Sequence, residues 1–270
     1  MNNDILDEIK KVELTILCVF DDFCKKNSIS YSLYAGTALG AIRHKGFIPW
    51  DDDIDIAMSR DQFDLFCKKW LEHPVSGFYL DSFFNEKYCG TCHAKLRKTG
   101  TIFLSKGEDI KKGNHGIWID IFPLDKISTN KRARIKKLLV ASCLTLLTRV
   151  NTSNKDECIE KRIVRTVFKI IPFYVRKIMI IYFHNWLLNH MNDGISNGYE
   201  WKSLSTFDVM HYISFDSTLV NGYVEVEFCK RLFPLFKNYD MMLTCTFGDY
   251  MKLPPESERI CKHNPVQIQI

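Results

Sequence analysis

Residues 48–58, IPWDDDIDIAM, place Asp51, Asp52, Asp53 and Asp55 within five positions and then run into Ile56, Ala57 and Met58. Carboxylates this close repel and raise one another's pKa unless positive charge sits among them. Two readings stand: a solvated acidic turn ahead of a strand, or a site for a divalent cation. The alternation Asp53-Ile54-Asp55-Ile56 favours the second. In a strand, alternate side chains share a face. DIDIAM as a strand therefore sends Ile54 and Ile56 into a core and points Asp53 and Asp55 the other way, about 7 Å apart. Two oxygen donors so placed suit a magnesium ion that keeps several waters.

A second stretch repeats the pattern with one acid. GIWIDIF (116–122) reads as a strand with Asp120 between Ile119 and Ile121, and burying such a charge unpaired costs several kcal/mol. Upstream, AGT sets Gly36 and Thr37 at a strand-to-helix turn, where backbone N–H groups and the helix dipole favour a phosphate. Arg43, His44 and Lys45 follow in a loop, and HAKLRK (93–98) puts Lys95 and Arg97 on one strand face. All five are candidate phosphate contacts. A Gly-Thr turn, a D-x-D strand and a later single-Asp strand, in that order, make the layout of a nucleotidyltransferase-type two-metal site.

The remaining pattern predicts an α/β (α+β) fold: a nucleotidyltransferase-like mixed sheet core with an added helical segment. Ile5, Ile9, Val12, Ile16, Val19 and Phe23 recur at helical spacing over 4–26. RDQFDLFCKKWL predicts a helix with Phe63, Phe66, Cys67 and Trp70 inward. Strands are expected at SYSLYAG (30–36), FYLDSFF (78–84), TIFL (101–104), HYISF and YVEVEFC, and a helix at YDMMLTCTFGDYMKL ahead of a polar tail. Residues 131–190 read as helical, broken near Asn151–Asn154 and at Pro172. The expected organisation is a catalytic core over 1–126, a basic helical segment over 127–200 and a closing segment over 201–270 that packs on the core.

GTALGAIRHKGFIPWDDDIDIAMSRDQFDLF closely resembles the signature of the LicD family, a bacterial group that includes phosphocholine transferases and is related to fukutin-type proteins. KLRKTGT with GIWIDIFPLD, and YDMMLTCTFGDYMKLPP, resemble its later blocks. The resemblance is strong over 31–66, fair over 93–125 and 236–256, and says little between 127 and 220. It implies an Mg²⁺- or Mn²⁺-dependent transfer of a phospho-alcohol unit, most simply phosphocholine. The donor it implies is CDP-choline or another CDP-activated alcohol. The acceptor would be a sugar hydroxyl of a cell-surface glycan or glycolipid (lipopolysaccharide, teichoic acid or capsule). The family's metal-binding acids fall on Asp53 and Asp55, with Asp51 as a further participant, and its later acid on Asp120. Phe247 stands where the family commonly has tyrosine before Gly-Asp, which bears on donor contacts of Asp249 and Tyr250.

Two other enzyme or binding classes compete. The same fold would also serve transfer of a whole nucleotide to a small molecule or an RNA end. Residues 131–177 carry thirteen Lys or Arg against three acids within a chain of net charge +5, so a binding module contacting a membrane or nucleic acid is the alternative from another class. The expectation adopted is peripheral contact with a membrane and none with nucleic acid. CGTCH (89–93) spells a c-type haem attachment motif, but an acidic N-terminus unlike an export signal argues for the cytoplasm, at most peripherally at the inner membrane face. No haem is expected there, and ten cysteines held as reduced thiols are.

Overall fold

The computed structural model describes residues 3–82, 93–105, 110–111, 113–148, 159–205, 209–210, 212–261, 263 and 265–270. The architecture is mixed α/β, with seven α-helices among the described residues. Its order begins α1 (Asn3–Lys26), β1 (Ser32–Leu33), α2 (Ala35–His44), β2 (Asp55–Ser59), α3 (Arg60–Glu72), β3 (Phe78–Asp81), β4 (Ala94–Lys98), β5 (Ile102–Ser105) and β6 (Trp118–Ser128). It continues α4 (Lys131–Thr148), α5 (Ile159–Ile170), α6 (Phe173–Asn189), β7 (Tyr199–Lys202), β8 (Phe215–Asp216), β9 (Tyr223–Phe228), β10 (Arg231–Phe236), α7 (Tyr239–Phe247) and β11 (Pro265–Gln269).

The central sheet runs β1-β2-β6-β4-β3, with β7 and β8 added beyond β6. Among the described residues only β2 and β6 pair in parallel; the other pairs are antiparallel. β6 is the longest strand and changes partner along its length. Trp118 to Ile121 pair with β4, and Asp125 to Ser128 pair with β7. Pro123 falls between these two pairings while β2 lies on its other side. A proline has no N–H to give a ladder, so the gap is where this residue fits.

The helices α1 and α3 lie against β2, β4 and β6. Phe20 and Phe23 of α1 meet Phe66 and Trp70 of α3 with ring centroids 4.7 to 5.8 Å apart. Such aromatic pairs add about 0.5–1.5 kcal/mol each beyond their buried area. All four apolar residues expected inward on α3 are buried. On α1 the stripe is rotated: Leu6, Ile9, Ile16, Leu17 and Phe20 are buried, whereas Ile5 is exposed.

Several expectations shift in detail. The strand expected over 53–58 begins only at Asp55, so Asp53 and Ile54 belong to the approach to it. SYSLYAG shrinks to two strand residues because α2 already starts at Ala35. The last helix ends at Phe247, with Gly248 at positive φ stopping it. Three strands went unread, the first of them β7 (YEWK), which pairs with β6 and β8. β10 (RLFPLF) pairs with β9, and β11, inside the supposed polar tail, pairs with β5. The break between α4 and α5 and the paired thiols Cys89 and Cys92 lie outside the described residues. The seven described cysteines are all free thiols.

Beyond the C-terminal end of β2, Arg60 donates to both oxygens of Asp125, each at 2.9 Å, and both residues are buried. A small cavity beside them is lined by His184 of α6, Leu187 and Ser205. Burial, with the Arg60 guanidinium nearby, pushes the His184 imidazole down to about 4 from the usual 6.5. The folded chain therefore keeps His184 neutral where the unfolded chain protonates it. That contribution to stability is full above the ordinary histidine pKa and is lost as pH falls toward about 4. We expect His184→Gln to shrink the loss of Tm between about pH 7.5 and about pH 5, relative to wild type. Thermal melts at the two values check it.

Candidate active site

The parallel register of β2 and β6 sets Asp55 directly opposite Asp120. Antiparallel pairing with β4 then brings Lys95 opposite Asp120 on the other side. Three chemistry-bearing residues thus meet on one sheet face because three short strands are in register.

Asp120 is the best-satisfied acid of the group. Lys95 Nζ and His93 Nε2 lie 2.8 and 2.7 Å from its Oδ1, and Trp118 Nε1 donates to Oδ2 at 2.7 Å. Burial alone would push its pKa up, but Lys95 and His93 outweigh that and hold the carboxyl well below the usual carboxylate range. The Lys95 ammonium also sits 4.0 Å from the centroid of the Trp118 ring.

Asp53 and Asp55 are in the opposite condition. Burial, followed by repulsion from Asp51, raises Asp53 to about 7. Burial and the Asp53 charge raise Asp55 well above its ordinary value. Asp51 reaches back to the first turn of α2, where the helix dipole favours an anion. Its Oδ2 lies so close to Gly36 that a Cβ there would stand only 2.7 Å away. Asp52 is turned aside: its Oδ1 is 3.0 Å from His263 Nδ1, while its Oδ2 is buried with no hydrogen-bond partner. That contact leads the influences raising the His263 pKa.

The structure distributes the remaining expected residues unevenly. Thr37 is buried, and its Oγ1 accepts the Asp55 N–H at 2.8 Å, bracing the start of β2. Arg43 donates to His44 Nε2 at 2.9 Å and to the Tyr250 carbonyl at 2.8 Å, tying α2 to the C-terminal block. Burial, then Arg43, lowers the His44 pKa. Lys45 caps α2 in the left-handed conformation and faces Glu227 at 3.7 Å, away from the acids. Arg97 shares the face of Lys95 but donates to Asp81 at 3.0 Å and to the Gly116 carbonyl at 2.9 Å. The Tyr250 hydroxyl donates to Asp240 at 2.6 Å. Trp50 packs between His44 and Arg259.

Four members were missed in the sequence reading: His93, Trp118, His263 and Glu13. Glu13 of α1 is buried, with Oε2 lacking a hydrogen-bond partner. Burial, and then the charges of Asp53, Asp52, Asp51 and Asp120, push its pKa well up. A signal for it existed, because Ile9, Glu13 and Leu17 are spaced by four on the apolar face of α1. Lys10 of the same helix donates to the Pro49 carbonyl at 2.8 Å and so holds the loop that carries the acids.

Among the described residues no three acids, histidines or cysteines already enclose an ion as placed. The fit to a cation is one of charge and donor type. The half-buried carboxyls of Asp53 and Asp55 are raised by desolvation and by their neighbours, Asp52 Oδ2 is unpartnered, and the donors are oxygens. All-oxygen carboxylate sets suit Mg²⁺ or Mn²⁺.

Replacing Thr37 tests its brace on the start of β2. Thr37→Val leaves the Asp55 N–H without its acceptor, and we expect a loss of about 1–3 kcal/mol in urea denaturation. Thr37→Ser keeps the oxygen and should denature close to wild type.

In sequence the chain is also similar to known proteins. A family profile described as "LicD/FKTN/FKRP, nucleotidyltransferase domain" matches residues 28–137, which hold Gly36, Thr37, the acidic loop, β2, Lys95 and Asp120. The lipopolysaccharide cholinephosphotransferase LicD of Haemophilus influenzae is 30% identical over 268 residues, covering 96% of each chain. Shorter matches link the chain to uncharacterized proteins of Rickettsia prowazekii (54% identical over 41 residues, 15% of each chain) and Rickettsia typhi (53% over 36 residues, 13% of this chain and 12% of the other). With its acids on β2 and β6 of a mixed sheet and an end-to-end match to one such transferase, the chain belongs to the LicD family.

Proposed function

We propose that the chain transfers phosphocholine from CDP-choline, or a like unit from another CDP-activated alcohol, to a sugar hydroxyl of lipopolysaccharide. The observation that carries this reading is the identity to a lipopolysaccharide cholinephosphotransferase along 96% of both chains, with Asp55 facing Asp120 at the core of the matched region. In the reaction the acceptor oxygen bonds to the phosphorus of the phosphocholine unit. The P–O bond to CMP breaks, CMP leaves with the electron pair, and the hydroxyl proton passes to a carboxylate of the cluster.

Asp53 and Asp55 would hold a divalent cation, which when bound neutralises charge on the donor's phosphate oxygens. Lys95, with its ammonium fixed over Trp118 and beside Asp120, supplies a positioned positive charge for the same oxygens. Asp120 was expected from the sequence to act as general base or metal ligand. Lys95 and His93 already lie against its Oδ1 and the Trp118 N–H on its Oδ2, so we give it the task of orienting Lys95 and His93.

The defining assay incubates the purified protein with CDP-choline labelled in the choline, lipopolysaccharide and Mg²⁺. We expect label in the acceptor and release of CMP. Release of pyrophosphate from CTP, with nucleotide on the acceptor, would instead establish nucleotidyl transfer. In the same assay Asp53→Asn and Asp55→Asn should each lower kcat at least about a hundredfold. Without metal, both variants should melt at or above the wild-type temperature, since each removes repulsion among buried acids. A variant that melts far below wild type would mark that acid as structural.

A further inference from the structure

The two helices farthest from the acids in character are α5 and α6. On α5, Ile163, Val167 and Ile170 recur at i, i+4 and i+7, and all three are exposed. On α6, Tyr174, Ile178 and Ile181 do the same, and none of its residues is fully buried. The corner between the helices at Pro172 presents the most exposed pair, Ile170 at 80% and Tyr174 at 74%. Soluble monomers rarely show contiguous apolar patches above a few hundred Å² without a use for them.

Charge decides among the occupants of such a face. Residues 159–189 hold six Lys or Arg against one acid, Glu160. A second copy of the chain would set these like charges against one another, whereas anionic headgroups neutralise them. Arg162, Lys169 and Lys177 flank the apolar positions on the two helices. Phe173 and Tyr174 at the corner are residue types that settle at the boundary between hydrocarbon and water. No helix among the described residues is long and apolar enough to cross a bilayer, so the fitting posture is flat on the surface, with the apolar side sunk among headgroups. We propose that the face made by α5, the Pro172 corner and α6 docks on an anionic lipid surface. The inference does not depend on the transferase reading, because a chain with another activity would carry the same face. If the acceptor is lipid-borne, docking brings the acid cluster to it.

Co-sedimentation of the full chain with vesicles tests the proposal. Binding is expected to phosphatidylglycerol vesicles and not to phosphatidylcholine vesicles, and to weaken as salt rises. Lys169→Gln and Lys177→Gln should each lower the partition coefficient roughly fivefold. Ile170→Glu combined with Tyr174→Glu should abolish binding with the melting temperature unchanged, since both side chains lie in solvent. The same double variant should transfer phosphocholine to fully (O- and N-) deacylated lipopolysaccharide at the wild-type rate. Loss of that activity in wild type would count against the transferase reading alone. Equal or negligible wild-type binding to both vesicle types overturns the docking proposal. So does binding that the variants leave unchanged, or a dimer in sedimentation equilibrium that the double variant dissociates while vesicles are ignored.

Discussion

Two carboxylates that repel each other stand side by side because β2 and β6 run parallel and in register, Asp55 opposite Asp120. The surroundings resolve that repulsion asymmetrically. Asp120 gathers three donors: Lys95, His93 and the Trp118 indole. Asp55 and Asp53 receive none of comparable strength, and their pKa values rise. A site that wanted all its acids satisfied by protein would divide the cations between them. Concentrating them on Asp120 keeps one acid firmly ionised and leaves the D-x-D pair in need of positive charge from outside the chain. That pair is where an incoming cation gains most.

Holding so many acids together requires bracing from every side. Thr37 fixes the first N–H of β2, the α2 terminus accommodates Asp51 against Gly36, Lys10 holds the Pro49 carbonyl, and His263 turns Asp52 away. A Cβ at position 36 would push the Asp51 carboxylate out of this approach. The brace is also non-local. His263 and Asp52 are 211 positions apart, and Arg43 reaches the Tyr250 carbonyl across 207. β11, two residues beyond His263, pairs with β5 and so anchors the segment that delivers the imidazole.

This division explains what could be read in the sequence. Asp55, Asp120 and Lys95 were legible because each sits in a strand whose period of two sorts polar from apolar neighbours. His93, Trp118 and His263 were not legible as site members, since nothing local marks an aromatic or imidazole as a partner for an acid elsewhere. β10 hid behind Pro234, which suits a two-stranded ribbon but argues against a strand by propensity. β11 hid in a polar composition, because its side chains are half-buried or exposed and the pairing is made by backbone. Glu13 shows the converse failure. It was in plain view as an acid on an apolar stripe, yet the stripe was assigned to Val12 and Val19 instead.

Glu13 also bears on how the cluster is kept together before any ligand arrives. Burial and four aspartate charges push its pKa well up, which opposes a further negative charge beneath the loop. A leucine at that position would pack α1 equally well, as Ile9, Ile16 and Leu17 do around it. A carboxyl whose ionisation those aspartates oppose would ionise more readily were a cation to reduce their negative potential. The acidic loop is thus backed by an acid whose charge follows that of the site, something no hydrocarbon side chain can do. That conditional charge is a physical reason for a glutamate to stand on the core face of α1.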